Sequence, residues 1–257
     1  MNAESLWAIW CVWLRYFDVF RKSVFYYMVT TLVEPFLFLL SFGFGVGALV
    51  KSLHAGGMVL SYRQFIFSGI VGQTVLFQGF FEASYGSYVR MYYQRIFHSM
   101  GTTPITLSEV LWGELLWDST KGAMAAITVV LIGTLTGDFS PWSLLIMLPL
   151  CFVGSMIFAG CGLLVSAGAK TIEEISYPQY LFIFPMFLFC GVFYPIETLP
   201  HIVQIIACLL PLTAIVSLTR TVTLHFPFDW WAIPNVIFWW AFFVLYSRKR
   251  MLQRLVK

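Results

Sequence analysis

Between Trp142 and Ala167 the chain carries no Asp, Glu, Lys or Arg, only apolar side chains with a few serines and glycines and one proline. About 20 such residues cross the hydrocarbon core of a bilayer as a helix, where only the helix itself satisfies the backbone amides. Further uncharged runs occupy 65–81 and 122–137. Of the 257 residues 60% are hydrophobic and 11% charged, against roughly 25% charged in soluble domains. Too little polar surface remains to cover a globule. The chain reads as an integral membrane protein, and its net charge of +3 gives no reason to expect a nucleic-acid partner.

Six crossings are expected, at 24–50, 65–89, 110–135, 142–167, 175–193 and 228–246. The segment 1–22 reads differently. Leu6, Trp7, Trp10, Trp13, Leu14, Phe17 and Phe20 recur at helical spacing, away from Glu4, Ser5, Arg15 and Asp18. That is the pattern of a tryptophan-rich helix lying in the membrane interface, not of a cleavable leader. Between 194 and 223, Pro195, Pro200 and Pro211 divide the chain, and 202–210 is too short to cross. Re-entrant or interfacial half-helices fit there. The expected fold is therefore an all-α membrane protein of six transmembrane helices, with an N-terminal interfacial helix and short half-helices before the last span.

The intramembrane polar residues are Glu34, Glu82, Glu114, Asp118 and Lys121. A carboxylate in hydrocarbon is costly unless paired, protonated or facing water. Glu34 precedes Pro35, which frees a backbone carbonyl, and Gly43, Gly45 and Gly47 follow on the same helix. Glu34 is either a satisfied residue beside a packing notch that admits a neighbour's backbone or a functional group. Glu114, Asp118 and Lys121, spaced by four and three, share a helix face. They either pair or snorkel to the nearby interface.

The most polar interruption runs from 83 to 121. Within it, 90–100 places Val89, Tyr92, Tyr93, Ile96, Phe97 and Met100 along one helical side, before Gly101 to Pro104 stop the helix. A short amphipathic helix that docks a partner and a plain surface loop both fit. With the N-terminus cytoplasmic, the inner side holds 11 basic residues: Arg15, Arg21, Lys22, Arg90, Arg95, Lys170, Arg248, Lys249, Arg250, Arg254 and Lys257. The outer side holds 3, Lys51, Arg63 and Arg220, and Lys121 completes the 15. The asymmetry obeys the positive-inside rule and puts both termini in the cytoplasm.

No Gly-Lys dipeptide occurs, so there is no phosphate-binding Walker A loop. HExxH and GxSxG are absent, the five cysteines have no CxxC spacing, and the four histidines stand apart. Catalytic residues, a metal site and a cofactor of the chain's own are not expected. A proton-coupled transporter or channel using Glu34, Glu82 and Glu114 stays open as an alternative.

The stretch FEASYGSYVRMYYQRIFHSMGTTPITLSEVLWGELLWDSTK (81–121) resembles the central region of type-2 ABC exporter permeases. It is most similar to the permeases of rhizobial nodulation lipo-oligosaccharide exporters. Glu34-Pro35 with the run 42–47, Gly191-Val-Phe-Tyr-Pro195, Leu199-Pro200 and Leu210-Pro211 extend the resemblance over nearly the whole chain.

The resemblance implies a single transmembrane domain over 1–257, acting as a homodimer in a bacterial inner membrane. Two copies of a separate ATPase would bind the ATP and magnesium. It implies an ATPase-coupling loop within 90–104, carried by Gln94, Arg95, Ile96, Phe97, His98, Ser99, Met100, Thr102 and Pro104. It implies extracellular half-helices at 194–223, with a gate at Phe193, Pro195, Glu197, Pro200 and Pro211. The implied substrate is amphipathic or a lipid-linked glycolipid, with membrane lipids as further partners. No domain for reading a sugar end group interrupts the pattern, a departure from polysaccharide exporters.

Overall fold

The computed structural model describes residues 3–50 and 52–255; Lys51 and Lys257, both counted in the charge asymmetry, lie outside the described residues. Helix α1 (Ala3–Lys22) is followed after one residue by α2 (Val24–Leu49), which continues through Pro35 and widens into a π-helical stretch at Leu39–Val46. Strands β1 (Leu53–Ala55) and β2 (Met58–Leu60) form an antiparallel hairpin with Leu53 opposite Leu60. Its turn is Gly56-Gly57, both at positive φ, as the type I′ hairpin turn requires. The connection between the first two expected spans, for which the spacing predicts no element, contains this hairpin.

Helices α3 (Tyr62–Tyr93), α4 (Ile96–Gly101), α5 (Leu107–Leu135) and α6 (Pro141–Gly168) come next. A Thr106–Glu109 capping box starts α5. The segment α7 (176–189) is shorter and contains a π-helical turn. Then come α8 (His201–Leu209), α9 (Pro211–Leu224) and α10 (Ala232–Leu255). Among the described residues four helices, α2, α3, α5 and α6, are long and apolar enough to cross a membrane, or five if the bent pair α8–α9 counts as one span. The expected fifth span is interrupted: α7 ends at Phe189 and the chain turns at Gly191. The last helix begins at Ala232 rather than 228 and carries the basic tail as helix to Leu255.

At the centre lies α3, packed against α5, α6 and α9. Phe65, Ile66, Ile70, Val71, Val75, Leu76 and Phe80 all have essentially no exposed surface. Three glycines bring these helices together. A Cβ on Gly79 would lie 2.8 Å from the Ser155 carbonyl oxygen, one on Gly122 2.7 Å from Ser155 Oγ, and one on Gly162 2.6 Å from the Phe80 carbonyl oxygen. The glycines expected to form a notch behave otherwise: Gly45 has nothing within 4 Å, and Gly43 and Gly47 meet only ordinary contacts.

Helix α1 has two apolar faces where one was expected. Ile9, Val12, Tyr16 and Phe20 are buried against α5, with Val12 seated on Gly113, while Leu6, Trp7 and Trp10 are exposed. Trp13 and Phe17 sit between the faces and pack on Trp117. Ser5 donates to Glu109 and Arg248 to Ser108, so α1 and the far end of α10 meet at the start of α5.

The packing generates a paired test. Gly162→Val pushes a side chain into backbone and should lower stability by about 1–3 kcal/mol or more. Gly168→Ala, which faces open space, should change the thermal midpoint little. Equal midpoints for the two variants in detergent would contradict this packing.

Candidate functional site

Arg90, near the end of α3, folds back toward the membrane-spanning part of the molecule. Its Nε lies 2.6 Å from Glu114 Oε1, Nη1 2.8 Å from Glu82 Oε1 and Nη2 2.8 Å from Asp118 Oδ1. Lys121 Nζ lies 2.6 Å from Glu82 Oε2 and 4.0 Å from the centre of the Tyr27 ring. Ser87 Oγ lies 2.6 Å from Glu114 Oε1 and 3.2 Å from Asp118 Oδ2. The Tyr16 ring sits 5.3 Å from the guanidinium carbon. One cluster thus joins α1, α2, α3 and α5.

The local chain makes this arrangement possible. The α3 backbone widens into π turns at Glu82–Gly86 and Val89–Tyr93, a feature frequent at functional sites. A Cβ on Gly86 would lie 3.2 Å from both Arg90 Nη1 and Glu82 Oε1, so only glycine leaves that bridge unobstructed. The spacing of Glu114, Asp118 and Lys121 turns all three toward α3. Snorkelling is corrected: Glu114 and Asp118 are fully buried, and their charges are met by Arg90 rather than by water. In low dielectric an ion pair persists only with good geometry and satisfied lone pairs, which the rigid guanidinium fork supplies.

Satisfaction is incomplete. Tyr16 Oη and Glu114 Oε2 are both buried without a hydrogen-bond partner. Burial first, and then the Glu114 carboxylate, push the Tyr16 phenol above its ordinary range, so it remains a protonated donor facing the carboxylate. Three carboxylates against two cations leave the cluster one formal negative charge in excess. Beside it opens a cavity of about 620 Å³, lined among others by Arg15, Tyr27, Glu82, Tyr85, Arg90 and Lys121.

The expected coupling residues begin four positions after Arg90. Gln94, Arg95, His98, Ser99, Thr102 and Pro104 are exposed, Ile96 is half-buried, and Phe97 and Met100 are buried. Two expectations are corrected. The expected helix over 90–100 is broken at Arg95, whose φ of 51° is left-handed, and Arg90 belongs to the span rather than to a docking surface. The apolar face of 96–100 turns inward: Phe97 and Met100 pack in the same apolar cluster as Val12, Met91 and Leu111. What faces outward is a polar surface of Arg95, His98, Ser99 and Thr102.

Glu34 stands apart, half-buried beside Gln73. Gln73 and Glu82 are nine residues apart on α3, about 13 Å of rise, so Glu34 does not join the other carboxylates.

At the opposite end, Phe193 packs on Phe38 and Phe42 of α2 at 6.0 and 4.6 Å. Pro195 is buried, Glu197 and Pro200 are exposed, and Pro211 opens α9 after an 87° bend from α8. The sequence reading missed Arg220 here, counting it as a surface charge. It is buried, lies 3.8 Å from the Phe65 ring centre and donates to the Gly191 carbonyl at 2.6 Å and Ser68 Oγ at 3.3 Å. It lines a second cavity, of about 220 Å³, with Pro195, Glu197 and Asp229. Four apolar or hydroxyl residues on either side of Arg220 were the available signal for its burial.

The cluster should respond to single changes. Arg90→Gln strands the buried Glu114 and Asp118, while Glu82 keeps Lys121, and should cost about 3–5 kcal/mol, read as loss of folded protein in detergent. Gly86→Ala should insert normally yet lower stability by separating Arg90 from Glu82. Wild-type thermal stability in both variants would contradict the geometry.

Residues 8–224 match the family described as "ABC-2 type transporter". A nodulation protein J from Rhizobium leguminosarum bv. trifolii is 30% identical over 235 residues, covering 88% of each chain. Another, from Sinorhizobium fredii, is 30% identical over 222 residues, 86% of this chain and 83% of that one. The inner membrane transport permease YadH of Escherichia coli is 24% identical over 212 residues, 80% of this chain and 81% of its own.

Proposed function

The chain belongs to the ABC-2 type transporter family, as a multi-pass inner-membrane permease, and on that premise we propose that it is the membrane half of an ATP-driven exporter. Two copies pair with two copies of a separate ATPase, which holds the ATP and magnesium. Both termini face the cytoplasm, and with them the segment 94–104. The substrate is an amphipathic or lipid-linked glycolipid-type molecule, the class that the resemblance of 81–121 to lipo-oligosaccharide exporter permeases implies.

The observation that carries the mechanism is the short chain distance between the Arg90 cluster and the outward polar surface at Arg95 to Thr102. Phe97 and Met100 anchor that segment in the core, so it cannot shift without moving the residues it packs on. ATP favours the conformation in which the two ATPases close, and its differential affinity drives the change. The displacement passes through α4 and the end of α3 into the cluster, and from there to α1, α2 and α5. At the far end, the proline-divided pieces with Phe193, Pro195, Glu197, Pro200 and Pro211 form the outer gate. Glu34, away from Glu82 and Glu114, offers no continuous proton path with them.

The test separates docking from folding. Arg95→Glu with His98→Ala should leave the permease folded while lowering ATPase co-purification or transport-stimulated ATP turnover at least about tenfold, as expected for an exposed arginine anchor. Phe97→Ala should instead lower stability by about 3–5 kcal/mol through the cavity it leaves. Full association, turnover and export in Arg95→Glu with His98→Ala would refute docking here. Orientation is checked independently by single cysteines in a cysteine-free background. Those at His54 and Thr198 should react with an impermeant thiol reagent on intact cells, and one at Ser99 only after permeabilisation. Labelling at Ser99 from outside would reverse the orientation.

A further inference from the structure

Where α6 and α10 end together, a groove of about 660 Å³ lies between them, walled by Leu164 and Gly168 on one side and Tyr246 and Arg250 on the other, with Lys170 and Arg254. Three cations line it and no carboxylate does. Among the described residues none of the three lies within ion-pair distance of an acid. The nearby Glu174 is occupied otherwise, accepting the Lys170 backbone N–H at 2.7 Å. Arg254 is partly used: its Nη1 donates to the Ser166 and Ala167 carbonyls at 3.0 and 2.6 Å, capping α6. The ammonium of Lys170 and much of the Arg250 guanidinium remain free.

A second feature leads into the groove. Phe238, Phe242 and Tyr246, four residues apart, form an exposed stripe along α10. Their rings stack at 6.2 and 5.7 Å with interplanar angles of 14° and 19°. The next position in the stripe is Arg250, whose Nε donates to Tyr246 Oη at 3.0 Å. From 238 to 250 the stripe runs about 18 Å, the scale of an acyl chain with its headgroup.

We propose that this groove is a binding site for an anionic phospholipid, with the headgroup phosphate on Lys170 and Arg250 and one acyl chain along Phe242 and Phe238. A free anion would use the charges but leave the stripe uncovered. A docked protein would use the charges without needing an apolar track in line with them. A zwitterionic headgroup carries its own cation and so gains little from three unneutralised positive groups. Basic pockets between helix ends at a membrane surface have the chemistry that selects acidic headgroups.

The test uses the purified full-length permease in neutral detergent, titrated with dioleoylphosphatidylglycerol and read by native mass spectrometry and thermal midpoint. Dioleoylphosphatidylcholine and glycerol phosphate serve as the two comparison probes. The acidic lipid should bind at least about tenfold tighter than the zwitterionic one. Lys170→Gln with Arg250→Gln should abolish that preference, whereas Arg21→Gln with Lys22→Gln should preserve it. Phe242→Ala should weaken the dioleoyl lipid but not its dihexanoyl counterpart. Equal binding of the two lipids, or a preference that survives in Lys170→Gln with Arg250→Gln, overturns the proposal. Competition by glycerol phosphate at the affinity of the lipid would reduce the groove to a free-anion site. Unchanged lipid binding with loss of a co-purifying ATPase would assign it to protein docking.

Discussion

A single guanidinium holds the structure to its proposed task. Arg90 presents N–H donors in a fixed planar fork, and three carboxylates from two helices are arranged around it. A lysine at this position would offer a point charge without that geometry. Burying so many charges together is unfavourable unless each finds its partner, so the backbone yields: α3 widens twice and Gly86 leaves out a side chain. Around the fork the neighbouring helices fall into place. Tyr16 brings α1, Tyr27 reaches Lys121 from α2, and the spacing of Glu114, Asp118 and Lys121 sets the rotation of α5.

The two ends of the molecule are built on different principles. At the end that carries α1 and the C-terminal turns of α10, a cluster of five charged side chains interlocks. At the other end the chain is divided into short pieces by Pro195, Pro200 and Pro211, with one hairpin and a buried Arg220 whose partners are a hydroxyl and a carbonyl. Short helices joined by bends can reorient at less cost than a continuous buried span. In the proposed mechanism the first end receives the force of the ATPase and the segmented end yields to open a path.

Much of the layout was legible in residues alone, because uncharged runs of bilayer length leave few choices: the first, third and fourth expected spans begin and end within a few residues of α2, α5 and α6. The hairpin escaped notice although Gly56-Gly57 is a strong turn signal, since its strands are only three residues each. The helical spacing of Glu114, Asp118 and Lys121 showed a shared face but not its direction. Helical periodicity cannot say whether a charged face meets water or an arginine on another helix. Arg90 was assigned to a loop for the same reason, and Phe97 to an outward face because the left-handed residue Arg95 rotates α4 relative to the end of α3. In α1 the apolar residues were recognised, but one set meets α5 and the other does not, a division only packing reveals.

The central claim is that the charge cluster carries motion from the ATPase-facing segment into the spans. Its most direct measurement is the number of substrate molecules exported per ATP hydrolysed by the permease–ATPase complex reconstituted with Asp118→Asn. This change keeps the side-chain shape and removes one charge from a cluster that has a carboxylate in excess, so folding and assembly should survive. The account predicts near-normal ATP turnover with export per ATP reduced at least about tenfold, the size expected when coupling of about 1.4 kcal/mol or more is lost. An unchanged ratio in a complex of normal stability would contradict it.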